Sequence, residues 1–151
     1  MTDVQTTQTG QTLMIVEDEV LVAQVLRDEL TDAGYNVLDL TTRRAEALEV
    51  AKACTPDLAL VNICLAGRDD GIGLAENLKA LDIPVVFISG QVSRARSADT
   101  VAIASMPKPY DAHDMVLAVA YLLARMKGPT SLSRPDMLEV FNEDLGLAPA
   151  A

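Results

Sequence analysis

The run Pro56–Ile63, PDLALVNI, is apolar at almost every position and then gives way to a polar stretch rich in glycine. A short apolar run that does not alternate reads as a strand covered on both faces, as in a parallel sheet between two helix layers. Four similar runs accompany it: LMIV, NVLDLT, IPVVFISG and VAIAS. Between them the spacing turns helical. VLVAQVLRDELTDAGY sets Val22, Val25, Leu26 and Leu30 on one face and stops at Gly34. RRAEALEVAKAC, GIGLAENLKALD (halted before Pro84) and the amphipathic DAHDMVLAVAYLLARMK read as further helices. QVSRARSADT is polar and has room for only one or two helical turns. Five strands alternating with helices, without an internal repeat, predict an α/β doubly wound sheet.

At 151 residues the chain is about one domain and can bury a core without disulfides or a structural metal. With three Tyr, two Phe and no Trp, that core must be built from Leu, Val, Ile and Ala. A net charge of −10 argues against nucleic acid or an anionic membrane as partner. The apolar runs are too short to span a bilayer. Residues 1–11, rich in Thr and Gln, are expected to be a disordered leader and do not resemble a signal peptide. Cys54 and Cys64 have neither metal-ligand nor redox spacing, so they are expected to be free, buried thiols of a reducing cytoplasm.

In doubly wound sheets the functional crevice lies at the carboxyl ends of the strands. Those ends carry Glu17, Asp18 and Glu19 after the first strand and Asn62 at the third. Ser89 and Gly90 follow the fourth, and Lys108 the fifth. Two carboxylates beside an oxygen-bearing side chain suit a hard cation such as Mg²⁺. The Ser89 hydroxyl and Lys108 ammonium would hold phosphoryl oxygens and spread transferring charge. An aspartate at position 62 could accept the phosphoryl group; the amide of Asn62, uncharged and with its lone pair delocalised, cannot.

On the residues IVEDE, PDLALVNI, FISG and MPKPY, residues 12–126 resemble the receiver domain of bacterial two-component response regulators. The resemblance implies a flavodoxin-like, five-stranded parallel sheet of order 2-1-3-4-5. It implies Mg²⁺ held by Glu17, Asp18, residue 62 and the backbone carbonyl of Cys64, and a cis Lys108–Pro109 bond. It further implies a cytoplasmic single-domain regulator, not an enzyme, that takes phosphate from a sensor histidine kinase and signals by protein–protein contacts. The loop LAGRDDGIGLAENL looks like receivers found with kinases of the HWE type. Three features depart from the family pattern: Asn62 at the phosphoacceptor position, Ser105 where an aromatic switch residue is usual, and a short segment between Gly90 and Val101.

Loss of the third carboxylate is expected to weaken Mg²⁺ binding. Asn62 itself fits three readings: an Asp-to-Asn substitution that blocks phosphorylation, the native residue of a phosphate-independent scaffold or inhibitor, or a turn residue. A Mg²⁺-dependent phosphohydrolase lacks a nucleophile and a general base. Asp69 and Asp70 read as turn formers before Gly71, and His113 as an exposed helix residue. The tail, residues 127–151, carries a candidate cap Ser133, Pro135 and a stop at Gly146. Met137, Leu138, Phe141 and Leu145 would share one face of a short amphipathic helix. That helix would fold back on the domain or reach another protein, and it or the last receiver helix offers a route to a homodimer.

Overall fold

The computed structural model describes residues 10–65 and 70–142. Most of the expected leader, together with Asp69, Leu145 and Gly146, lies outside the described residues. The order of elements is β1 (Thr12–Val16), α1 (Val20–Asp32), β2 (Asn36–Val37), α2 (Arg44–Ala53) and β3 (Leu58–Asn62). Then come α3 (Asp70–Ala80), β4 (Val85–Ser89), α4 (Val92–Ser97), β5 (Ala104–Pro107), α5 (Ala112–Lys127) and β6 (Glu139–Val140). The sheet runs β2-β1-β3-β4-β5-β6, parallel throughout except for β6. Its first five strands follow the flavodoxin-like order.

The apolar strands are explained by burial on both faces. Along β1, Leu13 and Ile15 enter one core and Met14 and Val16 the other. β3 and β4 divide in the same way, with Leu60 and Ile88 in the first core and Val61 and Phe87 in the second. Helices α1 and α5 cover the first face, and α2, α3 and α4 the second. A strand with no solvent face has no use for polar alternation, which is why these runs stay apolar.

Helix ends follow local chemistry. Gly34, at φ 101°, closes α1 and donates its N–H to Thr31 O at 2.9 Å. Asp111 caps α5 by accepting the His113 N–H at 2.9 Å, and Arg125 and Lys127 sit in the last turn, where the helix dipole favours cations. His113 is exposed, as expected. The short fourth helix is also as expected, six residues long.

Four expectations need correction. The second strand is only two residues long, with an isolated bridge from Val16 to Thr41 beyond it. The fifth strand begins at Ala104 rather than Val101, because pairing with β4 sets its register and not its apolar content. Both cysteines are free but exposed, Cys54 capping α2 and Cys64 following β3.

The fourth concerns the tail, which folds back on the domain as a strand and not as a helix. Leu138 donates to Pro135 O at 3.1 Å in a turn, and Phe141 then donates to Ile103 O at 2.9 Å. A short isolated helix is marginal in water, whereas the open edge of β5 offers ready backbone partners.

Candidate functional site

The parallel register brings three strand ends into one row. Asn62 pairs with Ile88, Ser89 with Pro107, and Val16, the last residue of β1, with Val61. Glu17, Asp18, Asn62, Ser89 and Lys108 therefore converge at one end of the sheet. A cleft of about 620 Å³ is lined by Asp18, Asn62, Cys64, Ser89, Arg94 and Lys108.

Asn62 occupies the centre and is 5% exposed. Its amide nitrogen donates to Glu17 Oε2 at 2.8 Å and to Asp18 Oδ1 at 3.1 Å. Its oxygen accepts the Cys64 backbone N–H at 3.3 Å. The side chain therefore turns its NH₂ toward the acidic pair, and two charge-assisted hydrogen bonds tie the ends of β1 and β3 together. An aspartate here would present a third negative charge at the same place.

Glu17 is 1% exposed. Its Oε2 also accepts the Glu19 N–H at 3.1 Å, at the start of α1. Its Oε1 is buried without a hydrogen-bond partner and lies 3.4 Å from Lys108 Nζ in an ion pair. Burial drives the Glu17 pKa above the ordinary carboxylate range. The Glu19 N–H, the Lys108 charge and the Asn62 amide pull the other way but do not cancel that cost.

As pH rises past the ordinary carboxylate pKa the unfolded chain ionises first, so this group's contribution to stability is lost until the folded pKa is passed. In metal-free buffer, denaturant melts should show stability falling as pH rises above the ordinary carboxylate range. Glu17→Gln should flatten that slope; an unchanged slope would remove Glu17 as its source.

Lys108 also lies 3.3 Å from Glu19 Oε1, so it is shared between two carboxylates. The Lys108–Pro109 bond is cis. Ser89 is held by one residue: its hydroxyl accepts the Gln91 N–H at 2.8 Å and donates to Gln91 O at 3.0 Å. Ser105 is buried on β5.

Sequence reasoning underused Glu19, Gln91 and Tyr110. Tyr110 has a buried hydroxyl without a hydrogen-bond partner, and its pKa is pushed up to about 12, by burial first and then by the charges of Glu17 and Glu19. Its place directly after Lys108-Pro109 was the available signal. Beside the cleft, α1 and the β5–α5 turn form an apolar groove of about 640 Å³ that shares Glu19 and Lys108 with it. Leu21, 77% exposed, and Val25 form one wall, and Pro109 and Tyr110 the other.

Glu17 and Asp18 offer oxygen ligands of the kind a hard cation takes, but Asn62 turns its NH₂ toward both and Lys108 Nζ lies 3.4 Å from Glu17 Oε1. The donor set is also thin. Among the described residues, no group of three or more His, Cys, Asp and Glu side chains is placed to hold a metal.

The family described as response regulator receiver domain matches residues 13–120. The chain belongs to that family. Among curated relatives, the transcriptional regulatory protein PdtaR of Mycobacterium tuberculosis is 29% identical over 124 residues, covering 80% of this chain and 60% of PdtaR. The chain thus spans about 60% of the length of that relative. Among solved structures, the signal receiver domain of a modulated diguanylate cyclase from Desulfovibrio desulfuricans is 32% identical at a TM-score of 0.69. That match covers 78% of this chain and 96% of the other. The receiver domain of NtrX from Brucella abortus is 28% identical at a TM-score of 0.67, covering 75% and 98%. Receiver domains generally bind Mg²⁺ in the acidic pocket and meet histidine kinases or other signalling partners; they are signalling modules and generally not enzymes. No described helix of this receiver is long and apolar enough to cross a membrane.

Proposed function

We propose that this receiver is a two-component response regulator module held in its unphosphorylated state by Asn62, acting in the cytoplasm through protein–protein contacts. The observation that supports this most is the Asn62 amide donating to both Glu17 and Asp18. It fills the acceptor position with a group that cannot be phosphorylated, and its N–H groups satisfy one oxygen of each acid without changing their charge. Glu17, Asp18 and the Cys64 backbone carbonyl would hold Mg²⁺, with residue 62 contributing in its aspartate form. The ion would supply positive charge opposite the phosphoryl oxygens. Ser89 and Lys108 would hold those oxygens once they exchange Gln91 and the carboxylates for them.

The partner proposed is a sensor histidine kinase, and the resemblance carried by LAGRDDGIGLAENL favours the HWE type. Nucleic acid and membrane are not proposed, given the charge of −10. The groove beside the cleft supports docking of an amphipathic helix, because Leu21 and Val25 are exposed next to Lys108. Such a helix would bring a phosphohistidine within reach of position 62.

Mg²⁺ titration tests the metal part. Asn62→Asp should bind Mg²⁺ about tenfold or more tightly than the parent, since a carboxylate replaces an amide and affinity follows ligand charge. Equal affinity would show that position 62 does not face the ion.

A second reading is a phosphate-independent scaffold or inhibitor. It is favoured by the internal satisfaction of the pocket, in which amide, carboxylates and lysine already pair with one another. Partner affinity separates the two. A kinase that binds parent and Asn62→Asp alike, with and without phosphodonor, supports the scaffold. Affinity that changes on phosphorylation of the variant supports the switch.

A further inference from the structure

The turn that holds Ser89 and the arm that returns along β5 are joined through α4. Gln91 O accepts the Ser89 hydroxyl at 3.0 Å, and it also accepts the Arg94 and Ala95 N–H groups at 3.1 and 3.2 Å. The six-residue α4 therefore starts on the same carbonyl that occupies Ser89. Arg94 lines the acidic cleft, and Arg96 donates from Nε to both Glu139 carboxylate oxygens at 2.9 Å. Glu139 pairs in turn with Ser105 on β5, three residues before Lys108. The arm, residues 138–141, thus bridges the helix that begins at the Ser89 turn and the strand that leads to Lys108.

Its seat is made within the chain. Leu138 is buried in the core shared with α1 and α5, Val140 packs against it, and Phe141 packs against the opposite core. The hold is light all the same. The ladder has only two pairs, and the Arg96–Glu139 pair lies at the surface. A cleft of about 380 Å³ lined by Val92, Arg96, Ser105 and Pro107 stays open beside the arm. A segment held in this way opens locally before the domain as a whole does. The arm lies beyond residues 13–120, the stretch that matches the receiver family, so it is an addition carried by this chain's own tail.

We propose that residues 138–141 are an intramolecular strap on the Ser89 turn. Seated, the strap holds α4 against β5 and keeps the Ser89 hydroxyl on Gln91; unseated, it frees that hydroxyl for the cleft. This is a regulation of the site as read above, and it rests on Ser89 being a phosphoryl-binding group. A serine hydroxyl has one proton, so it cannot donate to Gln91 O and to a phosphoryl oxygen at once. To leave Gln91 it must disturb the start of α4, and Glu139 anchors the same short helix through Arg96. The fraction of time the turn is open scales the rate of any step that needs Ser89, and loosening the strap raises that fraction.

Two readouts on the full chain test the strap. In the parent, Glu139→Gln should speed amide hydrogen exchange over residues 91–97 by about two- to fivefold, the scale of losing one partly exposed ion pair. Leu138→Asp, which buries a charge under the arm and unseats it, should speed that exchange about tenfold or more. Glu139→Gln alters only a surface side chain, so the test stands even where Leu138→Asp does not fold. Arg96→Glu and Glu139→Arg should each lose protection, and R96E/E139R should restore it. In the Asn62→Asp background the same variants should take label from acetyl phosphate faster by similar factors, with R96E/E139R returning to the slow rate. Unchanged exchange over residues 91–97 overturns the proposal, and so does faster exchange with an unchanged labelling rate. If Asn62→Asp takes no label at all, the phosphoryl reading falls on its own, and exchange over residues 91–97 alone decides the strap.

Discussion

The Asn62→Asp variant is expected to take up phosphoryl label from acetyl phosphate in the presence of Mg²⁺, while the parent stays at background. The carboxylate oxygen would attack phosphorus as the bond to the acetate oxygen breaks, leaving an aspartyl phosphate and free acetate. The groups proposed to serve that step lie around position 62: Lys108, at 3.4 Å from Glu17, Ser89 on the next strand end, and the acidic pair. The same substitution should destabilise the metal-free fold. It replaces two hydrogen bonds from an amide donor with a third carboxylate beside Glu17 and Asp18. Lost charge-assisted bonds and added repulsion suggest a cost of about 2–4 kcal/mol, recovered as Mg²⁺ is added. Urea melts with and without Mg²⁺ would read both halves. A variant that no donor labels would remove phosphotransfer from the proposed function. A parent labelled as strongly as the variant would place the acceptor elsewhere in the chain.

The sheet was legible because its strands are buried on both faces, so β3 and β4 announce themselves as unbroken apolar runs. The site was legible for a related reason. In this topology a polar residue that ends such a run has only the crevice to face, and Asn62, Ser89 and the acidic pair all end runs. The tail misled because its apolar spacing, Met137, Leu138 and Phe141, fits a helix as well as a strand with one residue exposed. What decided between them was the open edge of β5, far away in sequence and invisible to a local pattern. The fifth strand shifted for the same reason, its start fixed by β4. The burial of the Tyr110 hydroxyl was hidden because it depends on how the turn after Pro109 packs, which the local pattern does not set. The orientation of the Asn62 amide depends on two carboxylates contributed by another strand.

Gly71→Ala should be among the most damaging single substitutions in the domain, costing about 3 kcal/mol or more in a denaturant melt. Gly71 opens α3 and donates its N–H to Ile63 O at 2.9 Å, drawing the helix start onto the end of β3. A Cβ at this position would stand 2.6 Å from both Ile63 Cα and Ile63 O, and closer still to the Asn62 carbonyl oxygen. All three are backbone atoms, so no rotamer change relieves the contact, and the strand end or the helix must move. Gly73→Ala is the control. Its nearest atoms belong to the Arg44 guanidinium, the end of a long side chain that would have to shift against its hydrogen bonds to Asn77 Oδ1, and alanine in a helix gains roughly 0.5–1 kcal/mol over glycine in return. Its net change should stay within about 1 kcal/mol. The pair separates a steric requirement from a general dislike of substitution in this helix. The consequence reaches the site, because the Asn62 carbonyl that Gly71 approaches belongs to the residue that holds Glu17 and Asp18. Placed in the Asn62→Asp background, Gly71→Ala should therefore slow labelling by acetyl phosphate even at temperatures where the chain remains folded. Equal stability of Gly71→Ala and the parent would mean that the β3–α3 approach is looser than the structure shows, and that position 62 is held by its hydrogen bonds alone.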